Sequence, residues 1–218
     1  MHFDLSVYLV TDATLCGDAG VEHTVEEAVA GGVTIIQLRD KHASDEAMIE
    51  QARRLKNALE DYAELTGRYV PLIINDRLNV ALESGADGLH VGQSDTAAQD
   101  ARDAMGEDAI IGLSINNAEQ LAAAPVALLD YVGLGPVFAT QSKQDHAAPI
   151  GFDGLAALAA ACPLPGVAIG GVKVEHVEAV KQSGAHGMAV VSAICGQPSP
   201  HDAAKALAQK WQAAPTKA

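Results

Sequence analysis

Short apolar runs alternate along the chain with longer amphipathic stretches rich in Ala, Glu and Leu. Runs such as VYLV, TIIQL and LII lack the polar alternation of a half-exposed strand and are typical of parallel strands buried on both faces. We predict eight strands, at Ser6–Thr11, Thr34–Arg39, Leu72–Asn75, Gly88–Val91, Ile110–Ser114, Tyr131–Gly135, Gly166–Ile169 and Met188–Val191. Each precedes a predicted helix, at His23–Ala30, Asp45–Thr66, Leu78–Ser84, Ala97–Met105, Ala118–Ala124, Phe152–Ala161, Val174–Ser183 and His201–Trp211.

Eight strand–helix units in a chain of 218 residues favour a closed barrel of the α/β class. Such a (β/α)8 TIM barrel would lie at the small end of the size range of that fold. A doubly wound open sheet is the rival architecture, but its GxGxxG turn does not follow the first predicted strand. We find no linker, and therefore predict a single barrel domain over residues 1–218, with the tail frayed from about residue 213.

The charge balance argues against several kinds of partner. The chain has 14 Lys and Arg against 28 Asp and Glu, a net charge of −14. Nucleic-acid binding depends on neutralising phosphates with basic side chains, so we expect no nucleic-acid partner. Aromatic residues are only 4%, which argues against base-stacking platforms. An acidic surface repels anionic substrates at long range, so basic side chains near a phosphate site would be conspicuous.

Targeting signals and cysteines point to a cytoplasmic location. The start, MHFDLSVYLVTD, does not have the pattern of a signal peptide. The longest uncharged stretch, 155–172, contains Pro163 and Pro165, so we expect no membrane span. The three cysteines, Cys16, Cys162 and Cys195, have neither zinc-site nor redox-pair spacing and are expected to be reduced packing residues.

Basic and amide side chains follow the second predicted strand. In a closed parallel barrel, the active site lies at the carboxyl ends of the strands. The alternation of a strand places Gln37, Arg39 and Lys41 on one side. Two cations beside an amide donor are typical of a phosphate or diphosphate clamp. A strand end held by ordinary salt bridges is the alternative, because charges often merely decorate loops.

Two carboxylates are expected at neighbouring strand ends. Asp76 follows the third strand directly after Asn75, and Asp95 follows the fourth. Carboxylate oxygens suit Mg²⁺, which keeps several waters and bridges protein carboxylates to substrate phosphates. Helix N-capping is the alternative for each Asp alone. His90 has no second His at a ligand spacing, and we interpret it as a core residue or a supporting residue of the site.

The last two predicted strands end in residues suited to a monophosphate. Gly170 and Gly171 follow the seventh strand, and Ser192 follows the eighth. Loops at these positions commonly bind phosphate through backbone N–H groups in this class of barrel. The inventory of one monophosphate pocket, one diphosphate clamp and one Mg²⁺ site predicts two phosphorylated substrates, one of them a diphosphate.

With these motifs in this order, the chain resembles the thiamine-phosphate synthase (thiamine-phosphate pyrophosphorylase) family. The resemblance spans residues 8 to 194 and is carried by the segments YLVTD, QLRDK, IINDR, LHVGQSD, IGLS, GPVFATQSK, AIGGV and VVSAI. It implies a (β/α)8 transferase of thiamine biosynthesis. Two departures from the common family pattern are Ser142 in place of Thr and Asn116-Asn117 where many relatives carry a His.

The resemblance implies a reaction that couples 4-amino-2-methyl-5-pyrimidinylmethyl diphosphate to 4-methyl-5-(2-phosphooxyethyl)thiazole, giving thiamine phosphate and pyrophosphate through a dissociative carbocation mechanism. It implies that diphosphate binds at Gln37, Arg39, Lys41 and Asn75, with Ser114 on the pyrimidine diphosphate, Lys143 on the departing pyrophosphate, and Mg²⁺ at Asp76 and Asp95. It further implies a thiazole-phosphate pocket formed by Thr140, Ser142, Gly171, Val191 and Ser192. Arg39, Lys41, Ser114 and Lys143 would carry the catalytic roles.

Other functions on the same scaffold stay open at this point. A thiazole tautomerase or a phosphate-sugar isomerase would be indifferent to EDTA and would release no pyrophosphate. A catalytically silent barrel would bind thiamine intermediates without turnover. We expect small-molecule substrates as partners, no nucleic acid, no membrane, and a possible homo-oligomer.

Overall fold

A computed structural model describes residues 3–93, 97–139 and 148–216 of the chain. Its strands form a closed parallel barrel in chain order, β1 to β8, with β1 also pairing with β8. This is the predicted (β/α)8 TIM barrel. The strands are β1 Val7–Val10, β2 Ile35–Leu38, β3 Leu72–Asn75, β4 Gly88–Val91, β5 Ile110–Ile115, β6 Tyr131–Leu134, β7 Gly166–Ile169 and β8 Gly187–Val190.

Helices surround the barrel between successive strands. The α-helices are α1 Ala13–Cys16, α2 Gly20–Gly31, α3 Asp45–Thr66, α4 Leu78–Ser84, α5 Ala98–Met105, α6 Ala118–Ala123, α7 Gly151–Ala161, α8 Val177–Gln182 and α9 Pro200–Ala213. Single 3-10 turns occur at Gly17–Ala19, Val126–Leu128 and Val174–His176. In the part of the chain that the structure describes, none of the helices combines the length and apolar character needed to cross a membrane.

Strand alternation divides the apolar core into two clusters. The smaller cluster fills the inside of the barrel and includes Tyr8, Ile35, Ile73 and Tyr131. The larger cluster lies between the outer face of the strands and the helices, and includes Leu9 together with many helix residues. Successive side chains of a strand point to opposite faces, which explains why Tyr8 and Leu9 belong to different clusters. Because both faces are covered, the strands are apolar throughout.

Local capping explains where several elements begin and end. Helix α3 begins after Ser44, whose side chain accepts a hydrogen bond from the Ala47 amide, and ends at Gly67, which has a left-handed φ of 74°. Ser on the N-terminal side and Gly on the C-terminal side are the residues preferred at these positions. The bounds of α3, α4, β3, β4 and β7 are those predicted from the sequence.

Two predicted helices differ from the structure by more than two residues at one end, and four others by one or two residues. The first was expected at His23–Ala30, but helical turns begin at Ala13, because the Asp12 carboxylate accepts a hydrogen bond from the Leu15 amide at 3.0 Å and caps a short α1. The predicted helix Val174–Ser183 starts as a 3-10 turn and becomes α-helical only at Val177. The frayed tail stays a prediction.

Arg102 is a buried cation that ties three segments together at the outside of the barrel. Its side chain is 8% exposed and lies on α5. It donates to the carbonyl oxygens of Gly106, Ala109 and Leu128, and pairs with the Asp130 carboxylate at 2.7 Å. Each of these acceptors would lose a partner if the guanidinium were removed.

We expect Arg102→Met to destabilise the protein by about 3 kcal/mol, because the buried Ala109 carbonyl and the half-buried Leu128 carbonyl would lose their charged donor and Asp130 would lose its ion-pair partner. Urea unfolding with and without the substitution measures this change. The control is Arg54→Met, which removes an exposed ion pair with Glu22 and is expected to cost about 0.5 kcal/mol. Equal losses in the two variants would contradict a structural role for Arg102.

Candidate active site

A pocket opens at the carboxyl ends of the barrel strands. Nine of the predicted site residues line it: Gln37, Arg39, Lys41, Asn75, Asp76, Ser114, Gly171, Val191 and Ser192. The structure therefore brings together residues as far apart in the sequence as Gln37 and Ser192. The other predicted site residues, Asp95, Thr140, Ser142 and Lys143, lie outside the described residues.

The candidate diphosphate clamp continues the inward face of β2. Gln37 is 4% exposed, and Arg39 and Lys41 follow it at the pocket rim. The buried Thr11 fixes this backbone from the neighbouring strand end. Its amide donates to the Gln37 carbonyl at 2.9 Å, and its hydroxyl accepts from the Arg39 amide at 3.0 Å. The strand end that carries the two cations is thus held at both sides of Leu38.

Asn75 and Asp76 form the acidic side of the pocket. The Asn75 amide donates to the Asp76 carboxylate at 2.6 Å. Asp76 has a positive φ of 62°, the left-handed region that non-glycine residues seldom adopt. Its amide donates to the His90 carbonyl at 2.9 Å, which fixes this conformation to β4. Residues in such conformations cluster at functional sites, where the surrounding structure imposes them.

Arg77 connects this corner to the loop after β2. Its guanidinium donates to the carbonyls of Asp40 and Ala43 and forms an ion pair with Asp45 at 2.9 Å. The loop that carries Lys41 is therefore fixed to the end of β3. The Asn79 side chain also hydrogen-bonds Asp45, and this bond is the main cause that lowers the pKa of the Asp45 carboxyl, ahead of the Arg77 contacts.

Ser114 lies near the end of β5, where both its hydroxyl and its backbone carbonyl have hydrogen-bond partners. Its hydroxyl lies 2.9 Å from Nε2 of His90, and its carbonyl accepts from the Gln93 side chain at 2.6 Å. His90 is buried, as the sequence predicts for a core residue, and it also lines the pocket. Within 3–93, 97–139 and 148–216, no three His, Cys, Asp or Glu side chains are grouped so that they could hold a metal ion.

The candidate phosphate pocket is built from close backbone contacts. Gly170 and Gly171 both have positive φ, at 93° and 65°. A Cβ on Gly170 would lie 2.5 Å from Cβ of Pro136, and one on Gly171 would lie 2.8 Å from Cβ of Phe138. The Phe138 amide donates to the Gly170 carbonyl at 3.0 Å. These two glycines therefore let the loop after β6 pack directly on the loop after β7, beside Val191 and Ser192.

Sequence analysis did not identify Tyr8, Tyr131 and Asn116 as part of this site. Asn116 lines the pocket two residues after Ser114, on the same face. Tyr8 and Tyr131 lie beneath the pocket, where their hydroxyls are 2.7 Å apart. Burial is the largest cause that raises the pKa of both phenols, so they stay protonated. The sequence did contain a sign of them, because a tyrosine within an otherwise apolar buried strand must find a hydrogen-bond partner for its hydroxyl.

Comparisons with known proteins agree with this geometry. Residues 7–194 match the family model for thiamine monophosphate synthase. The chain is 52% identical to a thiamine-phosphate synthase of Psychrobacter sp., with 93% of each chain covered, and 50% identical to one of Azorhizobium caulinodans, with 94% of each covered. The solved structure of a thiamine phosphate pyrophosphorylase from Pyrococcus furiosus matches with a TM-score of 0.84 at 31% identity, covering 95% of this chain and 96% of that one.

The matched span contains every strand of the barrel and every predicted site residue. Relatives at this identity share nearly their whole length with the chain. The chain therefore belongs to the thiamine monophosphate synthase family and is a transferase of thiamine biosynthesis.

Proposed function

We propose that the chain couples 4-amino-2-methyl-5-pyrimidinylmethyl diphosphate to 4-methyl-5-(2-phosphooxyethyl)thiazole, with Mg²⁺, to give thiamine phosphate and pyrophosphate. The observation that carries this proposal is the convergence of Arg39, Lys41 and Asp76 on one pocket rim, opposite the Gly170-Gly171 loop. Cations on one side and a glycine loop on the other provide two separate positions for anionic groups.

The diphosphate is assigned to the side of the pocket formed by β2 and β3. Arg39 supplies a planar fork of donors and Lys41 a compact charge, a pairing suited to the non-bridging oxygens of a diphosphate. Gln37 and Asn75 add neutral amide groups at the same rim. In a chain of net charge −14, two cations aimed into one pocket favour a strongly anionic ligand.

The thiazole phosphate is assigned to the other side, where Gly171, Val191 and Ser192 line the pocket. Thr140 and Ser142 are proposed to contact the same group or its neighbourhood. A monophosphate at this position would be bound by backbone N–H groups and a hydroxyl, as is usual after strands seven and eight of such barrels. The separation of the two anion positions leaves room for two different substrates.

The donors at the rim suit Mg²⁺. Asp76 supplies a carboxylate at the pocket wall, and Asp95 is proposed as the second ligand. One or two protein carboxylates are the usual complement for Mg²⁺ beside substrate phosphates, because this ion retains several waters. When bound, the ion would neutralise negative charge on the diphosphate.

The proposed chemistry is a displacement in two stages. The bond between the pyrimidine methylene carbon and the diphosphate oxygen breaks first, and its electron pair leaves with pyrophosphate. The thiazole nitrogen then donates its lone pair to the resulting carbocation and forms the new C–N bond. No proton has to be removed, so the residues needed are cations placed where negative charge develops: Arg39, Lys41 and Lys143.

Pyrophosphate release tests the proposal directly. The initial rate of pyrophosphate release is measured in Mg²⁺ with the pyrimidine diphosphate alone and then with the thiazole phosphate added. Both measurements are repeated in the presence of EDTA. We expect rapid release only with both substrates and Mg²⁺, and recovery of the EDTA sample after excess Mg²⁺ is added. Release that is equally fast without the thiazole phosphate, or unaffected by EDTA, would contradict the coupling reaction or the metal requirement respectively.

A further inference from the structure

A continuous chain of side-chain hydrogen bonds crosses the barrel directly beneath the pocket. The Gln37 amide lies 2.8 Å from the Tyr8 hydroxyl, which lies 2.7 Å from the Tyr131 hydroxyl. The Tyr131 hydroxyl lies 2.9 Å from Nδ1 of His90, and Nε2 of His90 lies 2.9 Å from the Ser114 hydroxyl. We call these five residues the tyrosine–histidine chain.

Both ends of the tyrosine–histidine chain lie in the wall of the pocket. Gln37 and Ser114 line it from β2 and β5, while Tyr8 and Tyr131 are 1% and 0% exposed. Buried polar groups are costly unless each is paired, and a fully paired network fixes the geometry of its members. The chain therefore connects two pocket-lining residues through two fully buried tyrosines and a buried histidine.

The barrel makes room for the middle of the chain with glycine. A Cβ on Gly112 would overlap both the Tyr131 ring and the His90 imidazole. A Cβ on Gly133 would lie 3.3 Å from Cε1 of His90. Two glycines on β5 and β6 thus leave the space in which a histidine and a tyrosine can meet end to end.

Counting protons along the chain decides its direction. The Gln37 NH2 group can only donate, so the Tyr8 oxygen accepts from it. Because a buried hydroxyl proton needs an acceptor, and Tyr131 is the acceptor beside Tyr8, we assign the Tyr8 proton to Tyr131. The Tyr131 proton is then available only for Nδ1 of His90, which must carry a lone pair. A neutral imidazole with a bare Nδ1 has its proton on Nε2, so His90 donates to the Ser114 oxygen.

We infer that the tyrosine–histidine chain runs in one direction, from Gln37 to Ser114, and that Tyr131 and His90 are positioning residues that leave the Ser114 hydroxyl proton free to donate into the pocket. This inference rests on the proposed function for the identity of the acceptor, an anionic oxygen of the pyrimidine diphosphate. If the hydrogen bonds ran in the opposite direction, the Ser114 hydroxyl would donate its proton to His90 and could only accept a hydrogen bond from a ligand.

The tautomer of His90 tests this direction without any substrate. Nitrogen NMR of histidine-labelled protein distinguishes a protonated Nε2 from a protonated Nδ1, and His90→Gln identifies the His90 signals. We expect Nε2–H with Nδ1 as an acceptor. A proton on Nδ1, alone or together with Nε2, would overturn the inference. Because the measurement uses the protein alone, its outcome does not depend on the proposed function.

Kinetics of Tyr131→Phe tests the positioning role. This variant keeps the ring that packs edge-on against Tyr8 and Phe3 and removes the hydroxyl that accepts from Tyr8 and donates to His90. The imidazole is then free to adopt the Nδ1–H tautomer, in which Nε2 accepts from Ser114. We expect kcat/KM for the pyrimidine diphosphate to fall by about 10- to 100-fold, somewhat less than the loss of a direct oxyanion donor. The KM for the thiazole phosphate should stay unchanged.

A double-mutant cycle separates positioning from general damage. If Tyr131 acts through Ser114, then Tyr131→Phe in a Ser114→Ala background should cause less than about a twofold further loss. The matched control is Tyr69→Phe, which removes a hydroxyl that donates to Asp87 in the loop between α4 and β4. This variant should leave kcat/KM for the pyrimidine diphosphate and KM for the thiazole phosphate unchanged. Full additivity of Tyr131→Phe and Ser114→Ala would overturn the inference, whereas absence of turnover in the unaltered protein would instead refute the proposed function.

Discussion

Asp76→Asn is expected to reduce kcat by about 1,000-fold while the protein stays folded. A bound metal ion contributes several kcal/mol to stabilising charge in the transition state, and each 1.36 kcal/mol corresponds to about a tenfold change in rate. Asn has nearly the shape of Asp, keeps an oxygen that can accept from Asn75, and tolerates the left-handed φ of 62° found here. The substitution therefore removes charge and little else. We expect Asp95→Ala to abolish turnover in the same way.

Steady-state kinetics over a range of Mg²⁺ concentrations measures the effect, with circular dichroism to confirm folding. The matched control is Asp12→Asn, which alters a carboxylate at the end of β1 on the same face of the barrel. Its oxygen would still accept from the Leu15 amide and cap α1, so activity should be retained. Ordinary turnover in Asp76→Asn would show that this carboxylate is only structural.

Arg39→Ala is expected to lower kcat/KM for the pyrimidine diphosphate by about 100- to 1,000-fold, the loss typical when one donor to a developing anion is removed. The guanidinium would serve both substrate and leaving group, so both KM and kcat should worsen. Arg39→Lys should recover part of the activity, because lysine keeps the charge and loses the planar fork. Neither change should affect the backbone bond between the Arg39 amide and Thr11.

The control for Arg39→Ala is Arg53→Ala. Arg53 lies on the outer helix α3, where its guanidinium donates to the Glu83 carbonyl away from the pocket. Arg53→Ala changes the net charge of the protein by the same amount as Arg39→Ala and should leave kcat/KM nearly unchanged. If the two substitutions reduced activity equally, general electrostatics rather than a local clamp would account for the loss.

The order and type of the elements could be predicted from the sequence because each buried strand is a short apolar run followed by an amphipathic helical segment. The inward face of β2 was also predictable, since a period of two places Gln37, Arg39 and Lys41 on one side. The first helical turn was missed because it depends on a single local capping contact by Asp12. The roles assigned to the site residues stay predictions.

The tyrosine–histidine chain could not be predicted because it depends on barrel closure. Tyr8 and Tyr131 are 123 positions apart, and His90 and Tyr131 are 41 apart. Their contact requires the pairing registers of several strands, together with the missing side chain of Gly112. The sequence indicated that His90 would be buried, but not that its two nitrogens would connect Tyr131 to Ser114.

Identification of the organic product tests the central claim most directly. The protein is incubated with the pyrimidine diphosphate, the thiazole phosphate and Mg²⁺, and the mixture is analysed by mass spectrometry. We expect thiamine phosphate and pyrophosphate in equal amounts, and about a thousandth as much of both when the Asp76→Asn variant is used for the same time. An isomerised thiazole phosphate with the pyrimidine diphosphate unconsumed would contradict the account and would indicate a tautomerase.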